Sequence, residues 1–160
     1  MHLLKALSFA TLAVLFTLIF IGGYVSASGV GLTCPDWPLC PQGLVPHADF
    51  IIEYIHRSFA ATTGMLVIAT MAFTLKSNHA PRGMKISSII AAGAVIGQVT
   101  LGAIVIVERL HAVLVTAHLA LGIVLFSMML ITVLYAFNII YNPKVKTTEV
   151  SSNLSASSKD

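Results

Sequence analysis

Long apolar stretches separated by short polar breaks dominate this chain. Four of them, about residues 3–25, 50–75, 86–107 and 112–140, each approach or exceed the roughly 20 residues that a membrane-spanning helix needs. They predict an all-α integral membrane protein built as a bundle of four transmembrane helices. Asn78-His79-Ala80-Pro81-Arg82-Gly83 reads as the tight turn between the second and third spans, with Pro and Gly as breakers. The last residues, 144–160, are rich in Ser, Thr, Lys and Asn and hold too few large apolar side chains to build a core. The domain reading is therefore a membrane domain over 1–143 followed by a disordered tail over 144–160.

Composition agrees with this pattern: 57% of the 160 residues are hydrophobic and 9% are charged, far from the usage of a soluble domain. The basic residues give the orientation, because cytoplasmic loops and ends collect Lys and Arg. Lys5, Lys76, Arg82, Lys85, Lys144, Lys146 and Lys159 fall on one side of a four-span arrangement, whereas residues 26–49 contain no Lys or Arg. Both termini are expected in the cytoplasm and the 26–49 loop outside. The first apolar run exceeds the 7 to 15 residues usual for a signal-peptide core, so it reads as a retained helix. The net charge of +3 is explained by topology. With no basic patch interleaved with aromatics, nucleic acid is not an expected partner.

Several residues stand out against the apolar background. Glu53, His56 and Arg57 share one helical face at the start of the second span. Ionisable groups at membrane depth usually mark a site; the alternative here is a structural ion pair at the interface. His56 lies six residues after Phe50 and His118 six after Ala112, which puts each about 9 Å into its span. Two imidazoles at one depth suit the axial positions of a haem iron. Ala60, Gly64 and Gly122 continue their faces and leave room for a flat macrocycle, or serve the close packing common in membrane helices, as Gly93 and Gly97 do most simply. His111 shares the His118 face and either contacts a porphyrin propionate or is a surface histidine. Gln98 needs a hydrogen-bond partner in hydrocarbon and reads as glue between helices. Cys34 and Cys40 occupy the outer loop, where a disulfide is plausible and unlinked thiols are the alternative. Trp37 between them is equally an interfacial anchor. His2, His47 and His79 read as solvated.

The stretches Gly22-Gly23-Tyr24-Val25, Gly29-Val30-Gly31-Leu32-Thr33-Cys34-Pro35-Asp36-Trp37-Pro38-Leu39-Cys40, Glu53-Tyr54-Ile55-His56-Arg57, Gly97-Gln98-Val99-Thr100-Leu101-Gly102-Ala103, Leu110-His111-Ala112 and Ala117-His118-Leu119 together resemble the haem A synthase family over about residues 20–125. The resemblance implies a four-helix bundle in a prokaryotic cell membrane with a haem site near its outer face. The implied activity is oxidation of a methyl group of haem O to a formyl group, giving haem A for terminal oxidases. It further implies His56 and His118 as iron ligands, Glu53 as the catalytic carboxylate, and Cys34 with Cys40 as the loop disulfide; by position, Arg57 either pairs with Glu53 or reaches a propionate and, like His111, is read as a haem contact. Haem O synthase becomes the haem donor and terminal oxidase assembly the acceptor, with haem b as a further cofactor. Familiar members have two four-helix halves, so a chain of this length implies a homodimer or a single site. Ser26 stands where many members carry an arginine.

Methyl oxidation with no flavin or nicotinamide motif must take its redox power from a metal cofactor or an external acceptor. A b-type cytochrome subunit that transfers electrons is the alternative function, since two histidines on a bundle would suffice for it. A quinone-reducing thiol oxidase would relay through two cysteine pairs, and this chain has two cysteines in all. A haemless structural or transporter subunit is the third rival.

Overall fold

The computed structural model describes residues 2–33 and 50–140, and each predicted span in them is one helix: α1 His2–Ser28, α2 Ile51–Lys76, α3 Arg82–Val107 and α4 Ala112–Ala136. All four are long and apolar enough to cross a membrane, and the protein is a multi-pass membrane protein. Cys34, Trp37, Cys40, His47 and the 144–160 tail lie outside the described residues.

The helices form a closed ring, α1 packing on α2 and α4, and α3 on α2 and α4. Consequently α2 and α4 oppose each other across the diagonal. Leu4 near the start of α1 packs in one cluster with Met84 near the start of α3 and Ala136 at the end of α4. Both ends of the four-helix unit thus lie at one pole, here the terminal pole, and the end of α1, the start of α2 and the α3–α4 turn lie at the other, the loop pole.

Two helical hairpins with matching burial make up the bundle. The offset of 62 residues that relates His56 to His118 also relates the buried pairs Thr63 and Leu125, Val67 and Met129, Thr70 and Thr132, and Thr74 and Ala136. An offset of 80 relates α1 to α3, taking Leu4 to Met84, Ser8 to Ser88, Leu15 to Val95 and Val25 to Val105, all buried. The chain is therefore pseudo-twofold, and α2 and α4 present equivalent faces to the centre.

Along the bundle the interior divides into layers. Near the terminal pole it is lined by hydroxyls: Thr11 and Thr70 join α1 to α2 at 2.9 Å, and Ser87 and Thr132 join α3 to α4 at 2.8 Å. Each such contact in a membrane contributes about 0.6 kcal/mol. The middle is dry, formed by Leu15, Val67, Ala91, Val95, Leu125 and Met129. This apolar layer separates the terminal pole from the layer that holds His56 and His118.

Helix ends differ from the apolar boundaries in two places. α3 starts at Arg82, four residues before the predicted 86, because the Pro81 carbonyl accepts the first helical bond from the Lys85 amide at 3.2 Å. Helical backbone continues past the hydrocarbon boundary into the charged turn. α4 ends at Ala136, although apolar residues continue to Ile140. Asn138 turns left-handed, φ 58°, and the Ile139 amide reaches the Leu134 carbonyl at 2.9 Å, a Schellman closure. Arg109, φ 49°, closes α3 in the same way, with the Leu110 amide on the Val105 carbonyl at 2.8 Å.

Candidate functional site

His56 and His118 enter the loop-pole layer from opposite corners of the ring, five and six residues into α2 and α4. The His56 ring lies within electrostatic range of both the His118 ring and the Arg57 guanidinium. Each imidazole lies beside a glycine of the preceding helix. A Cβ on Gly22 of α1 would lie 3.0 Å from His56 Cε1, and one on Gly102 of α3 would lie 3.5 Å from His118 Cε1. These two glycines are themselves related by the offset of 80, so the hairpins deliver equivalent histidines over equivalent glycines.

The Nδ1 atoms of His56 and His118 are both buried and find no hydrogen-bond partner among the described residues. Buried polar atoms in folded proteins are almost always partnered, so paired orphan imidazoles call for a group from outside the chain. Two imidazoles are a donor set that would hold a haem iron.

Beside His56 the symmetry breaks. Glu53 is 2% exposed and accepts a hydrogen bond from Arg57 Nη2 at 2.6 Å through Oε1. Its Oε2 lies 3.1 Å from the Thr33 hydroxyl, which also sits 2.9 Å from the Val30 carbonyl. A hydroxyl carries one proton and can accept as well as donate. Thr33 can therefore donate to a Glu53 carboxylate, or turn its proton to Val30 and accept from the protonated acid. The equivalent positions on α4 are Val115 and Leu119, so this polar arrangement belongs to one hairpin only.

Other predicted residues divide. His111 is the N-cap residue of α4 and is exposed at the loop pole. Ser26 is exposed near the end of α1. His79 lines a small cavity of about 20 Å³ at the terminal pole with Lys5, Met84 and Tyr135, far along the bundle from His56. The space beside Gly122 is filled and not left for a macrocycle, since a Cβ there would lie 2.9 Å from the Gln98 amide nitrogen, whereas a Cβ on Gly64 would meet only Val95, at 4.0 Å. Gly122 serves the approach of α3. Gln98 acts between helices as expected, donating to the His118 carbonyl at 2.8 Å. Gly97 packs on Leu121, while Gly93 faces open space. Sequence reasoning quoted Gly22, Gly102 and Thr33 only within motifs. Their contacts depend on which turn of one helix lies beside which turn of the next, and no local signal carries that.

Comparison with known proteins adds the lineage. Residues 45–157 match the family described as cytochrome oxidase assembly protein. A heme A synthase of Bacillus licheniformis is 33% identical over 130 residues, covering 79% of this chain and 43% of that protein. One of Shewanella oneidensis is 29% identical over 141 residues, covering 76% and 42%. A protoheme IX farnesyltransferase of Haloarcula marismortui is 33% identical over 119 residues, 74% of this chain and 25% of that protein. The chain spans less than half the length of the heme A synthases it matches.

Proposed function

The chain belongs to the haem A synthase family of cytochrome oxidase assembly proteins, and from that premise we propose that it oxidises a methyl group of haem O to the formyl group of haem A. The observation that carries the reading is the pair of diagonal imidazoles, each beside a glycine and each with a buried, unpartnered Nδ1. His56 and His118 would hold the substrate haem by its iron; the methyl group and one water give the formyl group with release of protons and four electrons, which the iron would pass to an external acceptor.

The chain's own residues supply position and proton handling. Gly22 leaves the His56 ring the room that a side chain there would take. Glu53, one helical turn from His56, takes protons released as the methyl group is oxidised and passes them by way of Thr33 toward the loop pole. Arg57 holds the carboxylate in place and, with His111 at the rim, faces the propionate edge of the porphyrin. The apolar layer around Val67 and Leu125 keeps water from reaching the site through the bundle.

Orientation and partners follow from the same reading. With Lys5, Lys76, Arg82 and Lys85 at the terminal pole against Arg57 and Arg109 at the loop pole, the terminal pole faces the cytoplasm and the haem layer lies near the outer face of a prokaryotic membrane. A haem O synthase is the substrate donor; support comes from the archaeal farnesyltransferase, one quarter of which is similar to this chain. Terminal oxidase assembly receives the product. Two copies pair as a homodimer, with Gly93 as an exposed small residue where a partner helix can approach, and Cys34 with Cys40 close the outer loop as a disulfide. A resident haem b is a further ligand of such a pair.

Co-expression with a haem O synthase, followed by pigment extraction and chromatography, tests the activity. Haem A is expected with the intact chain and not with His56→Ala. Extracts that hold only haem B and haem O would refute the synthase reading.

A further inference from the structure

Gln98 is a polar side chain inside a membrane helix, and its surroundings are specific. Its Nε2 donates to the backbone carbonyl of His118 at 2.8 Å, on the residue that carries one of the two central imidazoles. The amide fills the space left by the missing side chain of Gly122, where a Cβ would lie 2.9 Å from Nε2. Its Oε1 is buried with no partner among the described residues, a state that costs free energy in hydrocarbon. Packing does not demand this arrangement. In the other hairpin the equivalent positions are Leu18, 80 residues before Gln98, and Ala60, 62 before Gly122, and Leu18 packs against the apolar core. The same helix contact is thus made with an apolar pair beside His56 and with a hydrogen-bonded pair beside His118.

We infer that Gln98 is a positioning residue for His118, fixing through the α4 backbone where that imidazole stands. This rests on the proposed ligand role of His118. The tie acts on the main chain one turn before Gly122, so it sets the height and rotation of α4 against α3 at the level of the iron ligand. The His56 side has its own polar support in Glu53, Thr33 and Arg57. Gln98 and Gly122 give the second ligand a support of different chemistry.

The test converts the second hairpin's pair into the first's. The double variant Gln98→Leu with Gly122→Ala reproduces the Leu18 and Ala60 pairing and removes the tie. Purified apoprotein is melted, and haem-loaded protein is examined for spin state and for haem release to an apomyoglobin trap. Apoprotein melting close to wild type is expected, with haem release about five-fold faster, the loss of one hydrogen bond, and a new high-spin fraction. Gln98→Met, near in volume and without an amide, should show the same two spectral changes. Unchanged spin state and release rate in both variants would overturn the inference while leaving the ligand reading intact. A collapse of apoprotein stability with an unaltered spectrum of the remaining holoprotein would also overturn it, making the tie purely structural. A His118→Ala protein that keeps the wild-type low-spin spectrum would overturn the ligand reading itself and the inference with it.

Discussion

Replacing Gly22 with alanine puts a methyl group against the ring of His56. The new Cβ would lie 3.0 Å from Cε1, 3.6 Å from Nδ1 and 3.9 Å from Nε2, whereas non-bonded carbons settle at about 3.5–4.0 Å. The ring must therefore retreat by about 0.5–1 Å. Ligand geometry tolerates about 0.5 Å, and disturbing the groups that orient a metal ligand typically costs about 10- to 100-fold in affinity. Gly22→Ala is expected to weaken haem binding by that factor. Two neighbours calibrate the effect: Gly102→Ala brings its Cβ to 3.5 Å from His118 Cε1, an ordinary contact, and Gly23→Ala meets nothing within 4 Å. Both should bind haem nearly as wild type. All three gain about 0.8–1 kcal/mol of helix propensity, so a loss of affinity confined to Gly22→Ala does not come from the helix itself. Titration of detergent-purified apoprotein with haem, followed at the Soret band, measures the series, with thermal melts as the stability control. If Gly22→Ala titrates like Gly23→Ala, His56 is not held by that contact and the proposed cradle is wrong.

Glu53→Gln keeps volume and hydrogen bonding to Arg57 but removes the proton acceptor; haem content should persist while haem A formed per bound haem falls by about 100- to 10,000-fold, and an unchanged yield would leave Glu53 a structural partner. Thr70→Val removes one side of the Thr11 contact and should lower stability by about 0.6 kcal/mol with an unaltered haem spectrum, measured by unfolding in mixed detergent. Cys34→Ala and Cys40→Ala should each leave measurable haem A formation, since closing so short a loop contributes at most a few kcal/mol; non-reducing mass spectrometry that finds both thiols free in active protein would remove the disulfide.

Helix number and spans were legible along the chain, and His56 and His118 stood out in it as candidates. Burial in a membrane demands long apolar runs with internally satisfied backbone, and an imidazole or carboxylate within such a run is conspicuous. Spacing from the span edges even placed the two histidines at similar depth, because both helices start at the same pole. The exact ends were less legible: charged Arg82 and Lys85 are helical, and the apolar residues after Ala136 are not, since hydrogen bonding and solvation change at different points. What stood opposite each histidine was hidden altogether. Gly22, Gly102, Thr33 and Gln98 gain their roles from the lateral and rotational fit of one helix against another, fixed by side-chain packing between segments tens of residues apart. Gly122 shows the difference best. As a small residue one turn from His118 it reads as space for a ligand, yet the fold fills that space with the Gln98 amide, because α3 and α4 pack closely enough there for one side chain to occupy the place of another.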